Sequence, residues 1–232
     1  MSPRRATPAR PPATVRDRLV EAAFTQFATR GFETTTVDDI ADRAGVSRRT
    51  FFRHFATKED VVFPDHDAIR AIVAADLGRR RDESPLTAVC AAVSLVLEDY
   101  VRNRDVSLAR FRLTRSIAPL RDREITNVHR YQRAFARFLE ERLPAAEKLQ
   151  AELMAAVVVT AHNSVLRDWL VGGAKDDPRP QLAVAFAAVR RLFEHSAAAG
   201  DDESTVVVLK SGASVEDVTR AIAALSKEGP LR

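Results

Sequence analysis

The run from Thr34 to Phe55, TTTVDDIADRAGVSRRTFFRHF, constrains the fold more than any other stretch of the chain. Thr36 is an N-cap residue with an acid, Asp39, three positions on, which is the spacing of a capping box. Val37, Ile40, Ala41 and Ala44 then fall on one helical face. Gly45 supplies the stop, because glycine takes positive φ without steric cost. Only Val46 separates it from Ser47, a second N-cap residue, followed by RRTFFRHF. Two short helices joined by so tight a turn must cross steeply, which is the helix-turn-helix arrangement.

The flanking sequence continues in helices. From Thr14, Val15, Leu19, Ala23 and Phe27 recur at fourfold spacing and Gly31 ends the run. Thr57 with Asp60 repeats the cap pattern ahead of Val61, Val62 and Phe63, and Pro64 should bend or end that helix. Further helices are expected over about 65–81, 85–104, 106–117, 121–143, 145–171 and 178–199. Pro119 and Pro144 are read as breaks between helices and GGAKDDP at 172–178 as a loop. The apolar spacing of Leu86, Val89, Val93, Val96 and Tyr100, and of Leu182, Phe186, Val189 and Phe193, suits helices that bury one face. After Gly200, TVVVLK is strand-like and SGASVEDVTRAIAAL reads as a capped helix. That strand must pair within the protomer, pair with a second copy or stay unformed. The expectation is an all-α chain with a short C-terminal strand-helix extension, divided as 1–13 (a basic arm), 14–63, 64–200 and 201–232.

A length of 232 residues, 46% of them apolar, is enough for a substantial core. The lone Cys90 makes no bridge within the chain. MSPRRATPARPP has no apolar run behind it, so a secretory leader is not expected and the cytoplasm is the expected compartment. Leu153 to Leu170 is apolar but broken by polar residues such as His162, Asn163 and Arg167, which suits a buried helix rather than a membrane span; no membrane partner is expected. Net charge is +4. Residues 1–60 hold eleven Lys+Arg against eight Asp+Glu, a net +3, so the rest of the chain is nearly neutral. The proline-broken basic arm either tracks phosphates or is an idle tail.

No catalytic constellation emerges. His54, His66, His129, His162 and Cys90 form no nucleophile-base pair and no metal-ligand spacing, and the adjacent Asp65, His66 and Asp67 diverge around a helix axis. There is no Walker loop and no glycine-rich dinucleotide fingerprint. Neither enzyme activity, nor a cofactor, nor a metal is expected.

The string AAFTQFATRGFETTTVDDIADRAGVSRRTFFRHFATKEDVV resembles the N-terminal pattern of the TetR family of one-component bacterial transcription regulators, over about residues 14–63. The resemblance implies a sequence-specific DNA-binding regulator, most simply a repressor released by a small apolar or amphipathic effector. The same fold without DNA reading would be an adaptor or small-molecule-binding protein; acids in place of Arg48 and Arg49 would point that way, and here both are basic. The second helix of the motif would enter the major groove. Its start at Ser47 favours a phosphate. Arg48 and Arg49 have the fork that suits guanine or a phosphate pair, and Thr50 can offer its hydroxyl and methyl. Phe51 and Phe55 are read as core contacts. Phe52 stands where the family commonly carries a phosphate-binding tyrosine and can only stack or pack. Thr36, His54 and Lys58 are implied to approach the DNA backbone.

The family's geometry implies a homodimer on a near-palindromic operator, its reading helices ~34 to 36 Å apart. Pairing would use the helices at about 145–171 and 178–199, with Ala183, Ala187 and Ala188 beside Leu182, Phe186 and Val189 allowing close approach; the alternative is that this face packs inside one subunit. In the first of these helices Leu149, Leu153, Ala156, Thr160, Asn163 and Arg167 form a seam that turns from apolar to polar. It is read either as an effector site or as a hydrogen-bonded dimer contact. Arg112, His129 and Tyr131 are further effector candidates. The run RRTFFRHFATKEDVVFPDHDA also resembles an actinobacterial subgroup associated with acyl-CoA-like ligands.

Overall fold

The computed structural model describes residues 14–144 and 147–198. The basic arm, the strand and helix expected beyond Gly200, and Ala145 and Ala199 at the ends of two expected helices lie outside the described residues. Among the described residues all regular structure is helical, and the chain divides into two compact units at Pro64 and Asp65.

The first unit contains α1 (Val15–Arg30), α2 (Val37–Ala44), α3 (Arg48–His54) and a 3₁₀ turn (Glu59–Val62). Each α-helix starts at a cap residue visible in the sequence. Thr14 and Asp17 exchange side-chain and backbone hydrogen bonds at 2.9 and 3.1 Å, and Thr36 and Asp39 do the same at 2.8 and 3.2 Å. Ser47 Oγ accepts from the Thr50 amide at 3.1 Å. Gly45, at φ 68° and ψ 37°, ends α2 by giving its N–H to the carbonyls of Ala41 and Asp42, satisfying acceptors that a helix end otherwise leaves open. Leu19, Ala23, Phe27, Ile40, Phe51, Phe55, Val61 and Val62 are buried together. Each large apolar side chain in such a core contributes roughly 1.5 to 3 kcal/mol by leaving water.

The Thr57 cap pattern opens less than the sequence suggests. Asp60 accepts from the Thr57 amide at 2.7 Å and returns its own amide to Thr57 Oγ1 at 3.3 Å, yet it leads only into the 3₁₀ turn. Pro64 disfavours helical geometry in the residue before it, and Phe63 is accordingly extended at φ −93° and ψ 151°.

The second unit holds α4 (His66–Arg79), α5 (Pro85–Arg102), α6 (Arg104–Ser116), α7 (Ala118–Glu140), α8 (Lys148–Val171) and α9 (Arg179–Ala198). Ser84 caps α5 with Pro85 at its first position, and Leu86, Val89, Val93, Val96 and Tyr100 all point into the core. Helix α8 packs against α5, α7 and α9. It is long and apolar enough to cross a membrane, but Met154, Val158, Val165 and Trp169 are spent on the interior of this unit.

Pro119 does not separate two helices. It occupies the first turn of α7, where its missing N–H is one that would be unpaired anyway. The break is Ile117, extended at φ −116° and ψ 109°. Leu182, Phe186 and Val189 of α9, expected at a dimer contact, are buried within the subunit.

Candidate DNA-reading face and effector cavity

Helix α3 is held by its apolar face and open on its basic one. Phe51 is fully buried and Phe55 nearly so, whereas Arg48, Arg49 and Arg53 are exposed. Arg48 is partly engaged: it donates to Asp38 of α2 at 2.7 Å and its guanidinium lies 5.4 Å from the centre of the Phe52 ring. Both members of that ion pair are more than half exposed, so the pair is weak and exchangeable. Arg49 and Arg53 carry no ion pair among the described residues. Phe52, 44% exposed, stacks edge-on against Phe51 and so presents an apolar surface beside the arginines.

The other expected DNA contacts are more committed. Ser47 and Thr50 share a 3.0 Å hydroxyl hydrogen bond. Thr36 is occupied by Asp39, whose carboxyl is held down to about 2 chiefly by the Thr36 hydroxyl and amide, with Arg30 adding to the effect. His54 is half-buried, its Nε2 closed off from solvent, and its carbonyl accepts from Arg16 at 3.3 Å. Lys58 turns its ammonium inward to the carbonyls of Phe32 and Thr35 at 2.7 and 3.0 Å.

In the second unit α6, α7 and α8, with Tyr100 of α5, line a half-open cavity of about 560 Å³. Phe111, Val128, Val159, Leu166 and Leu170 form apolar walls, and Arg115, Arg121 and Arg167 stand at exposed positions around it. A small inner cavity of about 40 Å³ shares Tyr100, Glu124, Val128, Val159 and Asn163 with it and adds His66, Tyr131 and His162. The polar half of the α8 seam, Thr160, Asn163 and Arg167, therefore lines the larger cavity, with His129. Asn163 and Tyr131 line the inner one. Leu149, at the apolar end of the seam, is 65% exposed and lines neither.

Arg112 is exposed and lies outside both cavities; Arg110, two residues earlier, is buried and lines the larger one. Glu124 escaped the sequence reading, and His66 and His162 enter it only as histidines that form no catalytic or metal set. Burial raises the Glu124 carboxyl, with Arg110 pulling the other way. Burial lowers His66 to about 4, helped by Arg110 and Arg70, and also depresses His162. His66 Nδ1 and the Tyr131 hydroxyl are 3.1 Å apart, joining α4 to α7. A wider groove of about 690 Å³ runs between α4 and α7, but Arg142 within it is already tied to the carbonyls of Arg80, Arg81 and Glu83.

These features define a helix-turn-helix regulator: a basic reading helix on a small capped unit, joined in one chain to a helical unit with a part-apolar cavity. A family model described as bacterial regulatory proteins, tetR family, matches residues 19–63. The helix-turn-helix-type transcriptional regulator TcmR of Streptomyces glaucescens is 36% identical over 179 residues, spanning 76% of this chain and 70% of that protein. The transcriptional repressor KstR2 of Mycolicibacterium smegmatis is 49% identical over 51 residues, 22% of this chain and 25% of that protein. Among solved structures, the Thermus thermophilus repressor FadR in complex with lauroyl-CoA aligns with a TM-score of 0.51 at 23% identity, covering 83% of this chain and 99% of that one. The SmeT-triclosan complex aligns at 0.57 and 16% identity, covering 77% and 90%. The chain belongs to the TetR family of transcriptional regulators, and it is a DNA-binding regulator of that family.

Proposed function

We propose that this chain is a homodimeric repressor whose two α3 helices read a near-palindromic operator and whose release is triggered by binding of an amphipathic effector in the second unit. The observation that carries the reading is the exposure of Arg48 and Arg49 on a helix whose opposite face is locked by buried Phe51 and Phe55. A rigidly mounted pair of arginine forks is what base-edge or phosphate recognition needs. Thr50 is assigned to the base side. Thr36, Ser47, Phe52 and His54 are assigned to the backbone side, and Lys58 braces it. Pairing is assigned to the outward faces of α8 and α9, where Ala183 and Val184 are exposed and Ala187 is half-buried.

The cavity supports the effector half of the reading, since apolar walls with a few converging polar groups suit a small molecule. Its arginine rim favours an anionic group on that molecule, and acyl-CoAs belong in the first screen for that reason. The test is an anisotropy titration of the purified protein against the DNA flanking its own gene, with salt varied and nonspecific competitor present. A site that resists competitor and takes up two protomers supports the regulator; weak, steeply salt-dependent binding to all DNA, there and in a genome-wide selection, favours an adaptor of the same fold.

A further inference from the structure

Two polar atoms in the cavity wall have no hydrogen-bond partner among the described residues. Glu124 Oε2 and His162 Nε2 are closed off from solvent, and neither meets a hydrogen-bonding group among the described residues. Both residues line the inner cavity, and Glu124 also lines the larger one. Buried polar atoms are ordinarily satisfied, and leaving one unpaired costs about 1 to 3 kcal/mol. The state of His162 is fixed by its neighbour. Its Nδ1 lies 3.0 Å from the amide oxygen of Asn163, which only accepts, so the proton sits on Nδ1 and Nε2 is left as a lone pair.

The pair selects one kind of group. His162 Nε2 requires a donor. Burial favours the protonated Glu124 carboxyl, which donates, so the same group must also accept. A carbonyl would leave His162 unsatisfied, and an ammonium would bring positive charge beside Arg110, which lines the adjoining larger cavity. A hydroxyl serves both atoms when Glu124 is protonated: its one proton goes to His162 Nε2 and its oxygen accepts from the Glu124 carboxyl. Beyond it the larger cavity supplies Phe111, Val128 and Leu166 as apolar walls and Arg115 and Arg167 at exposed positions.

Resting on the effector reading proposed for this cavity, we infer that the effector is a hydroxylated apolar acid: its hydroxyl enters the inner cavity between Glu124 and His162, its ring or chain fills the larger cavity, and its anionic group meets the arginines.

The inference is tested with three probes, 6-hydroxy-2-naphthoate, 2-naphthoate and 2-naphthol, titrated by calorimetry into the full chain and into Glu124→Leu, Glu124→Gln and His162→Phe. The hydroxynaphthoate should bind on the order of tenfold tighter than naphthoate, the value of one well-made buried hydrogen bond. Glu124→Leu and His162→Phe should each close that gap, and Glu124→Gln, whose amide both donates and accepts, should keep part of it. Naphthol should bind more weakly than hydroxynaphthoate, and Arg167→Ala should shrink that difference. Equal binding of hydroxynaphthoate and naphthoate, an undiminished gap in folded Glu124→Leu or His162→Phe, or binding of none of the three overturns the inference. Operator titration of the same samples keeps the two readings apart. Intact operator binding without hydroxyl selection sinks the hydroxyl alone, whereas loss of specific operator binding by the unsubstituted chain sinks the regulator.

Discussion

Lys58 gives its ammonium to the carbonyl of Phe32 at 2.7 Å while lying 4.4 Å above that residue's ring. With a second bond to the Thr35 carbonyl at 3.0 Å, it pins the segment between α1 and α2 and so sets where α2 begins. A charged donor on backbone carbonyls contributes more than a neutral one, about 1.5 to 3 kcal/mol net. Lys58→Met should therefore lower the stability of the first unit by about 2 kcal/mol, read as an earlier urea transition. A residue that served only as a phosphate contact would leave the transition in place and lower the salt slope of DNA binding by about 1.

Arg48 and Arg49 stand next to each other but in different states, because only Arg48 is held by Asp38. If each reads a guanine, Arg48→Ala and Arg49→Ala should each cost roughly 1 to 3 kcal/mol in operator affinity and relax specificity at one base pair. Asp38→Ala should act in the opposite direction, removing a carboxylate near the DNA and freeing Arg48. Because the pair is exposed, folding should change by less than about 1 kcal/mol. Competition binding on operator variants checks all three, and unchanged operator affinity in both arginine variants would remove base reading from this helix.

The first unit was legible because its determinants are local. Thr36 with Asp39, Gly45 and Ser47 lie within a dozen residues, and each acts on backbone groups beside it. The second unit was legible only as helices. Glu124 on α7 and His162 on α8 come to line one cavity through packing that no short-range spacing encodes. Arg112 is a charge between apolar neighbours in sequence, but residues two apart on a helix face nearly opposite ways. The period through Ser107, Arg110, Phe111 and Thr114, which all line the larger cavity, points to Arg110 instead. Pro119 misled for a similar reason: proline breaks a helix interior but opens a first turn, and the two cases differ by a few positions.

Burial and the nearby Arg110 and Arg70 hold His66 at about 4, below the unfolded value near 6.5. The unfolded chain therefore takes up a proton between these values before the folded chain does. The contribution of His66 is complete above pH 6.5 and is lost as pH falls towards 4. His162, also depressed by burial, acts in the same direction. Melting temperature should fall across this window, and His66→Asn should flatten the fall while lowering the plateau above pH 7. A variant whose melting temperature keeps the full pH dependence of the unsubstituted chain would show that His66 is not the group responsible.

Cys90 is buried in the core and its thiol is pushed up to about 11 by burial. The reactive species is the thiolate, so the native protein should resist iodoacetamide at pH 8 over hours and react stoichiometrically once unfolded in guanidinium. Rapid labelling of the folded chain would mean that the core around α5 opens far more readily than its packing implies.

Val184 is 68% exposed on α9, whereas Leu182, Ala185, Phe186 and Val189 of the same helix are buried inside the subunit. An exposed valine beside exposed Ala183 and half-buried Ala187 leaves a smooth apolar strip on which a second copy of the helix can approach closely. Burying one such side chain is worth roughly 1.5 to 3 kcal/mol, and a two-fold axis counts each substitution twice. Val184→Arg would also place like charges face to face. We expect this variant to sediment as a monomer with an unchanged helical spectrum, and to lose operator affinity because the two reading helices are no longer joined. Asn163→Leu, on the cavity side of α8, should leave the dimer and operator affinity intact while altering the response to effector. A Val184→Arg protein that stays dimeric would move the interface to another face, and a monomeric Asn163→Leu protein would place the polar half of the α8 seam within it.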